Sequence, residues 1–290
     1  MKRIHIVPGL GDVANGLAVI ARLFAKEQGD ADVVDLYGNM REIHEKEVGE
    51  VWIHGMWQPR EWIACSRVLR AGKRLVRMTH GSLSPIYLKQ RGRWKKWVVG
   101  PIERFFLRRA DVVVATCEAE AEWIRQYEPR VKKIEVTDVK RFFDLNHETH
   151  EIHEREEAES LHLLYLGRRH PLKGVEFLEA AVKEVEGCEL RIVSNALGEE
   201  KERVWEWCDV LVLPTLSENF GLVVAEALER GKRVITTDGA PAWSPSASAT
   251  EDKGDGNDYG GRLVYLKGYR NGSSEERVRL LKNAIEALAR

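Results

Sequence analysis

The stretch DVLVLPTLSENFGLVVAEALERG, residues 209–231, changes from one structural pattern to another. It opens with a continuous apolar run, which is typical of a strand buried on both faces of a parallel sheet. The residues after Gly221 are apolar on most sides, which indicates a buried helix. Two carboxylates, Glu218 and Glu226, interrupt this apolar sequence. The sequence therefore predicts a strand, a polar turn and a helix that carries a buried acid.

Glu226 lies among Val223, Val224, Ala225, Ala227 and Leu228, so we expect its side chain to be buried. A buried carboxylate needs hydrogen-bond donors, because leaving it unpaired costs several kcal/mol. The two vicinal hydroxyls of a ribose would supply them. The structural alternative is a salt bridge, with Lys232, Arg233 or Arg168 as the cation.

Short apolar runs of this kind alternate with amphipathic stretches along most of the chain, which predicts parallel sheets covered by helices on both faces. The predicted strands are residues 4–7, 31–37, 50–54, 74–80, 111–116 and 133–139, then 161–167, 189–194, 209–215, 233–237 and 262–266. The polar segment 146–160 separates these two groups. We predict two doubly wound domains, 1–150 and 151–290. The three linker histidines, at 147, 150 and 153, have a spacing that could hold a metal, but a solvated linker is the favoured interpretation.

Composition excludes several classes of protein. The 290 residues carry a formal net charge of -1, which gives no general attraction to nucleic acid. The four cysteines are scattered, which argues against a zinc site and favours a reducing compartment. No apolar run is long enough for a signal peptide or a membrane span, so we expect a soluble, cytoplasmic protein.

Unusual residues follow the predicted first strand. Pro8-Gly-Leu-Gly-Asp-Val-Ala-Asn-Gly16 precedes a helix, and glycines let a backbone approach an anionic ligand there. Gly9, Gly11 and Ala14 also fit the relaxed dinucleotide pattern G-x-G-x-x-A, with Asp35 placed as a ribose-binding acid. A tight strand-to-helix turn is the third interpretation.

Three further strand ends carry polar groups. His54 and His80 each precede a glycine at a strand end, where a side chain could contact substrate or only satisfy turn backbone groups. Arg168 and Lys173 follow the strand at 161–167 and could hold a phosphate by charge and hydrogen bonds, or form a solvated basic turn. Ser217 or Asn219 could cap the helix after Gly221, whose first N–H groups suit a pyrophosphate.

The sequence PTLSENFGLVVAEALERGKRVITTDGAP closely resembles the E-x7-E region of the family 4 retaining glycosyltransferases. The glycine loop, the HGMW at 54–57, His80 and ATCEAEAEWI at 115–124 match other motifs of this family in order. The resemblance implies the glycosyltransferase-B fold, in which two Rossmann-like domains face each other across a cleft. It also favours a glycosyltransferase over a dinucleotide-dependent oxidoreductase.

The resemblance implies that a nucleotide-diphosphate sugar, UDP- or GDP-linked, is the donor, with no cofactor and no metal ion. It implies catalytic roles for His80 and Glu218, and an acceptor side formed by Asp12, Asn15, Gly16 and His54. The implied donor-binding residues are Gly9, Gly11, Arg168, Lys173, Glu218, Asn219, Phe220, Gly221, Leu222 and Glu226. The expected activity is transfer of a hexose to a glycan or lipid-linked acceptor in surface polysaccharide or lipopolysaccharide synthesis.

Three regions depart from the family pattern. The family usually has P-N-G-V after the strand near 136, where this chain reads Val136-Thr-Asp-Val-Lys-Arg-Phe. Residues 195–208 are too few for the helix and strand that family members usually place there to hold the base. An inactive paralogue that serves as a scaffold subunit in polysaccharide assembly is therefore the alternative. Residues 243–261 form a polar insertion whose Asp252, Asp255 and Asp258 could suggest calcium, although a mobile loop is favoured.

The segment 87–109 is basic and contains interleaved aromatic residues. Such helices lie on anionic bilayers, which predicts a peripheral contact with the inner face of the membrane. The alternative is an ordinary helix whose aromatic side chains face the core.

Overall fold

The computed structural model describes residues 1–12, 15–90, 93–145, 160–194, 196–245, 259 and 261–289, with the backbone alone over 93–96. Contacts between residues divide the chain into two compact units, Met1–Val139 and Lys140–Arg290. The predicted linker lies outside the described residues except for Ser160, and its three histidines and the aspartates of the predicted insertion lie outside them too.

The N-terminal unit is a six-stranded parallel sheet with helices between the strands. Its strands are β1 Lys2–Val7, β2 Ala31–Asp35, β3 Val48–His54, β4 Arg74–Met78, β5 Val112–Ala115 and β6 Ile134–Val136. Its helices are α1 Gly16–Gln28, α2 Pro59–Arg70, α3 Pro85–Gln90, α4 Arg93–Arg109 and α5 Glu118–Tyr127. The strand order is β2-β1-β3-β4-β5-β6, with every neighbouring pair parallel.

The C-terminal unit repeats the arrangement with five parallel strands. They are β7 Leu161–Leu166, β8 Cys188–Val193, β9 Val210–Leu213, β10 Arg233–Thr237 and β11 Leu263–Leu266. The helices are α6 Val175–Val182, α7 Gly198–Trp207, α8 Leu222–Glu229 and α9 Ser274–Ala289. Short 3-10 turns cover Arg41–His44, Val139–Phe142, Pro171–Lys173 and Pro241–Trp243. The strand order is β11-β10-β9-β7-β8.

The apolar runs form the central strands because both faces of each sheet are covered by helices. In β9, Val210, Leu211 and Val212 have no exposed surface, and in β5 the same holds for Val113, Val114 and Ala115. Each of the eleven predicted strands is present, and the predicted α/β class with two domains is confirmed.

The strand orders locate the ligand crevice of each unit. In an open parallel sheet, ligands bind beyond the carboxyl ends of the strands, where the strand order reverses direction. That point lies between β1 and β3 in the N-terminal unit and between β7 and β9 in the C-terminal unit. The loops after these four strands carry most of the candidate site residues.

Candidate functional site

The loop after β7 presents one cation that lacks an ionic partner. Gly167 has φ 156°, and Arg168 follows it with an exposed side chain. Its carbonyl oxygen accepts a hydrogen bond from the Tyr165 hydroxyl at 2.9 Å, which holds the loop against the buried Tyr165 ring. In the described part of the chain, no carboxylate pairs with the Arg168 guanidinium. Arg168 is therefore available to an anionic ligand.

Lys173, at the end of the same loop, has a partner that the sequence did not predict. Its ammonium pairs with the Glu218 carboxylate from the loop after β9, and both side chains remain partly exposed. The two loops are also joined through the carbonyl oxygen of Leu172, which accepts hydrogen bonds from Leu216 N at 2.8 Å and Thr215 Oγ1 at 3.1 Å. Lys173 of the expected phosphate clamp thus lies next to Glu218, one of the two carboxylates. The two residues follow β7 and β9, the neighbouring strands between which the strand order reverses.

The loop after β9 is also fastened to the turn after β10. The Glu218 N–H donates to Gly239 O at 2.8 Å. A Cβ atom at Gly239 would overlap the carbonyl oxygen of Thr215, so the two backbones approach each other as closely as glycine allows. This contact fixes the backbone on which Glu218 stands.

Helix α8 begins without a side-chain cap. Gly221 is its N-cap residue, with φ 71°, and the predicted capping by Ser217 or Asn219 is wrong. The Phe220 ring is buried and stacks against Phe143, and its carbonyl oxygen accepts a hydrogen bond from the Trp243 indole, so Phe220 can offer a ligand only its backbone N–H. The N–H groups of Gly221 and Leu222 donate to none of the described residues. They are available to an anion at the start of a helix.

Glu226 differs from the prediction in two respects. Its side chain is 24% exposed, because it leaves the apolar face of α8, so the predicted burial is wrong. Its cation is Lys201 of α7, with Nζ 2.7 Å from Oε2, and none of the three predicted cations pairs with it. The other carboxylate oxygen has no partner in the described ranges. Glu226 can therefore still accept hydrogen bonds from a ligand.

The region 195–208, too short for a helix and a strand, contains the single helix α7 between β8 and β9. Lys201 lies in its first half and reaches Glu226. Glu218, which precedes α8, and Lys201 of α7 thus belong to the same unit as Arg168 and Lys173.

In the N-terminal unit, the loop after β1 is shaped by its own side chains. Gly9 has φ 69°, and Gly11 and Asp12 are exposed; residues 13 and 14 lie outside the described ranges. The Asn15 amide donates to the carbonyl oxygens of Pro8 and Gly9 and accepts from Leu17 N at 3.1 Å, so it caps α1 at Gly16. Its side-chain amide is engaged within the loop, and the acceptor-side role expected of Asn15 stays a prediction.

His54 is completely buried, so it cannot contact an acceptor with its side chain as predicted. Its ring lies between two other imidazoles: Nε2 is 2.9 Å from Nδ1 of His5, and Nδ1 is 2.9 Å from Nε2 of His80. His80 is the partly exposed end of this row and follows β4 with φ 49°. Of the two His-Gly pairs, the second alone presents a histidine ring to a ligand.

A buried acid, Glu120 of α5, fixes the turn that carries His80. Its carboxylate accepts from Thr79 Oγ1 at 2.6 Å and Gly81 N at 2.5 Å, on either side of His80. The second oxygen accepts from Thr116 N and Thr116 Oγ1, both at 2.8 Å. Glu120 was not among the predicted site residues. Glu120 lies in ATCEAEAEWI, a motif that supports the family resemblance, but the motif gives no indication of this role.

The structure divides the aromatic residues of the segment 87–109. Phe106 is buried in the core, whereas Trp97, Val98 and Phe105 are exposed, Trp97 at 76%. Glu103, the one acid of the segment, is completely buried against Arg77. No helix in the described ranges is both long enough and apolar enough to cross a membrane. The same residues contain no group of three or more histidine, cysteine or acidic side chains arranged to hold a metal ion.

Two family models match the chain, and together they cover residues 7–251. The model of the glycosyl transferase 4-like domain matches residues 7–139, and that of the glycosyl transferases group 1 matches residues 134–251. The curated proteins include no significant match to the sequence.

Solved structures share the fold at low sequence identity. Sucrose-phosphate synthase from Thermosynechococcus elongatus aligns with a TM-score of 0.64 and 15% identity, over 100% of this chain and 92% of its own. HepE from Anabaena, solved with UDP-glucose, aligns with a TM-score of 0.61 and 15% identity, over 100% of this chain and 94% of its own. The lipopolysaccharide outer core galactosyltransferase WaaB gives 0.59 and 14%, over 100% and 92%. With its two parallel sheets and the two matched domains, the chain belongs to the family 4 glycosyltransferases of the glycosyltransferase-B fold.

Proposed function

We propose that this protein is a retaining, metal-independent hexosyltransferase that takes its sugar from a nucleotide-diphosphate donor. One observation carries the proposal. Lys173 pairs with Glu218, and Arg168 and the N–H groups of Gly221 and Leu222 lie in the same two loops after β7 and β9, at the reversal of strand order. Cations and backbone donors suit a diphosphate, and the nearby carboxylates suit hydroxyl groups.

In the proposed complex, Glu226 accepts hydrogen bonds from the ribose hydroxyls and Glu218 from the donor sugar. Lys173 is already placed against Glu218, so one cation could orient that carboxylate and face the diphosphate. The anomeric carbon's bond to the diphosphate breaks while a bond to the acceptor oxygen forms on the same face. The acceptor proton passes to the departing phosphate oxygen. Arg168 and Lys173 stabilise the negative charge that grows on the leaving group.

A UDP-linked hexose is the first donor to test. HepE has been solved in complex with UDP-glucose, and WaaB is a galactosyltransferase by name. A thermal-shift screen of UDP, GDP, ADP and CMP sugars identifies the donor, because a ligand of the native state raises the melting temperature. The configuration of the product, read by NMR, tests retention. Activity that survives removal of divalent ions with EDTA supports metal independence.

The scaffold alternative is not favoured. It was motivated by the short region 195–208, yet α7 in that region contributes Lys201 as the partner of Glu226. Calorimetric titration separates the two functions. If no nucleotide sugar binds, the scaffold function is the one that remains, whereas binding with turnover would exclude it.

The proposed acceptor is a glycan or a lipid-linked saccharide at the inner face of a membrane, in surface polysaccharide or lipopolysaccharide synthesis. The exposed Trp97, Val98 and Phe105 on the basic helix α4 support a contact with an anionic bilayer. Burial of Glu103 removes the opposing charge from that surface.

A further inference from the structure

The three histidines of the N-terminal unit form a continuous hydrogen-bonded row that ends at Gln28. Nε2 of His5 is 3.0 Å from Oε1 of Gln28, the last residue of α1. The His5–His54 and His54–His80 contacts are each 2.9 Å. His5 and His54 have no exposed surface, so neither ring can turn toward water. Trp52 stacks on His5 at 5.0 Å and holds that ring in plane.

All three rings are neutral at pH 7. Burial lowers the pKa of His5 to about 4, and desolvation lowers the pKa of the partly exposed His80 in the same direction. The pKa of His54 lies well below its usual value, because burial and the two neighbouring rings oppose its charge. A neutral imidazole has one N–H donor and one bare nitrogen acceptor. The position of one proton in such a row therefore determines the positions of the others.

Gln28 sets the direction of the row. Its Oε1 can only accept, so Nε2 of His5 carries the proton and Nδ1 of His5 is bare. Nε2 of His54 must then donate to His5, and Nε2 of His80 must donate to Nδ1 of His54. This leaves Nδ1 of His80 bare, and among the described residues nothing donates to it.

We propose that Gln28, His5 and His54 are positioning residues that fix His80 in the Nε2–H tautomer and make its Nδ1 an acceptor for a hydroxyl group of the sugar substrate. The role of His80 toward substrate rests on the proposed function; the tautomer does not. Specificity follows from the direction of the hydrogen bond. A sugar with a hydroxyl at the contacted position can donate, whereas its deoxy or fluoro analogue cannot.

The backbone supports this role. Glu120 holds Thr79 and Gly81 on either side of His80, so the ring is fixed both through its turn and through Nε2. A side chain fixed at both points loses little further freedom on binding.

The first test is 15N NMR of the histidine nitrogens in the ligand-free protein, which distinguishes a protonated nitrogen from a bare one. We expect a bare Nδ1 and a protonated Nε2 in His80. Gln28→Glu keeps an acceptor at the end of the row and should leave this pattern unchanged. Gln28→Lys supplies only donors and should reverse every proton, leaving His80 protonated at Nδ1. Gln126→Lys makes the same substitution on an exposed face of α5 and is the matched control.

The second test is affinity. Gln28→Lys should weaken binding of the nucleotide sugar about tenfold, the effect of losing one hydrogen bond of roughly 1.4 kcal/mol. Binding of the nucleoside diphosphate alone should not change, and Gln28→Glu should bind both as the native protein does. A residue needed only for folding would shift both affinities or neither.

The two hypotheses fail separately. If no nucleotide sugar binds the native protein, the proposed function fails while the NMR pattern still decides the tautomer. A native His80 that is protonated at Nδ1, or that exchanges between tautomers, would overturn the inference. So would a Gln28→Lys protein whose histidine nitrogens match the native ones. If Gln28→Lys does not fold, the native and Gln28→Glu spectra decide.

Discussion

Lys201 in α7 holds Glu226 in α8 by a salt bridge of 2.7 Å between Nζ and Oε2. Both side chains are about one quarter exposed, at 26% and 24%, so the pair is accessible to a ligand and contributes little to stability. It leaves the second carboxylate oxygen unoccupied. A ribose could thus bind Glu226 without displacing the lysine.

Glu226→Gln should weaken binding of the nucleoside diphosphate roughly tenfold, because each lost charge-assisted hydrogen bond is worth about 1.5 kcal/mol. Calorimetry with the ribonucleotide and its 2′-deoxy and 3′-deoxy analogues measures this. The analogues should lose affinity for the native protein and much less for the variant. Glu229→Gln, at the end of the same helix, is the control. Equal discrimination in both proteins, with a lower melting temperature for Glu226→Gln, would mean a structural role.

Arg168→Ala should weaken binding of a nucleoside diphosphate by roughly 10- to 100-fold, the effect of losing a hydrogen bond between charged groups. Its melting temperature should match that of the native protein, because the Arg168 side chain is exposed and has no ionic partner in the described structure. The neighbouring Arg169 pairs with Glu179 at 2.6 Å, so Arg169→Ala is the control and should bind normally. Unchanged affinity in Arg168→Ala would place the diphosphate elsewhere.

Glu120→Gln should destabilise the protein by about 3 kcal/mol. The glutamine amide would place its N–H groups against the donors whose hydrogen bonds the Glu120 carboxylate accepts in the native protein. The carboxylate accepts four hydrogen bonds in a buried site. Denaturant unfolding measures the change. Glu122→Gln, exposed in the same helix, should change the free energy of unfolding by less than about 0.5 kcal/mol. Similar losses in the two variants would contradict the role given to Glu120.

Acidification should destabilise the N-terminal unit between pH 6.5 and pH 4. The folded protein lowers the pKa of His5 to about 4, whereas in the unfolded chain it lies near 6.5. The unfolded state therefore binds the proton more readily in this range, and stability falls as pH falls. At pH 5 the expected loss from His5 is about 2 kcal/mol.

In His5→Phe, the free energy of unfolding should fall less on acidification, by the amount that His5 contributes. The phenylalanine ring fits the stack with Trp52. His44→Gln, which removes an exposed histidine, should retain the native pH dependence. If the stability of His5→Phe responds to acid as that of the native protein does, the histidine row is not the source of the acid destabilisation.

Replacement of both Trp97 and Phe105 by serine should reduce cosedimentation with anionic liposomes, because exposed aromatic side chains insert at the bilayer interface. Binding should also weaken at high salt, where attraction between the basic helix and the lipid headgroups is screened. Tyr37→Ser removes an exposed aromatic outside the segment and is the control. If the native protein does not sediment with the liposomes, the exposed side chains of α4 do not bind an anionic membrane.

The sequence was sufficient for the fold because local patterns determine it. The run at 209–215 reads as a buried strand without knowledge of its neighbours, and β9 is buried between β7 and β10. The E-x7-E region was equally informative, since its residues are adjacent along the chain.

Partners distant in sequence could not be predicted in this way. Glu226 was expected to be buried because its neighbours are apolar, but its side chain leaves the apolar face to meet Lys201. His5 reads as an ordinary strand residue, and only the pairing of β1 with β3 places it beside His54. The sequence left open whether His54 contacts substrate or satisfies turn backbone groups, whereas the structure buries its ring between those of His5 and His80.

The close approach of Gly239 to Thr215 has a consequence for directed evolution of donor preference. The backbone of the turn after β10 occupies the space beside the loop that carries Glu218, and the Glu218 N–H depends on its carbonyl group. Libraries that vary residues 215–219 alone sample loops that must still fit an unchanged partner. Libraries that vary residues 237–240 together with them would reach shapes that neither segment can adopt by itself, with glycine kept at 239.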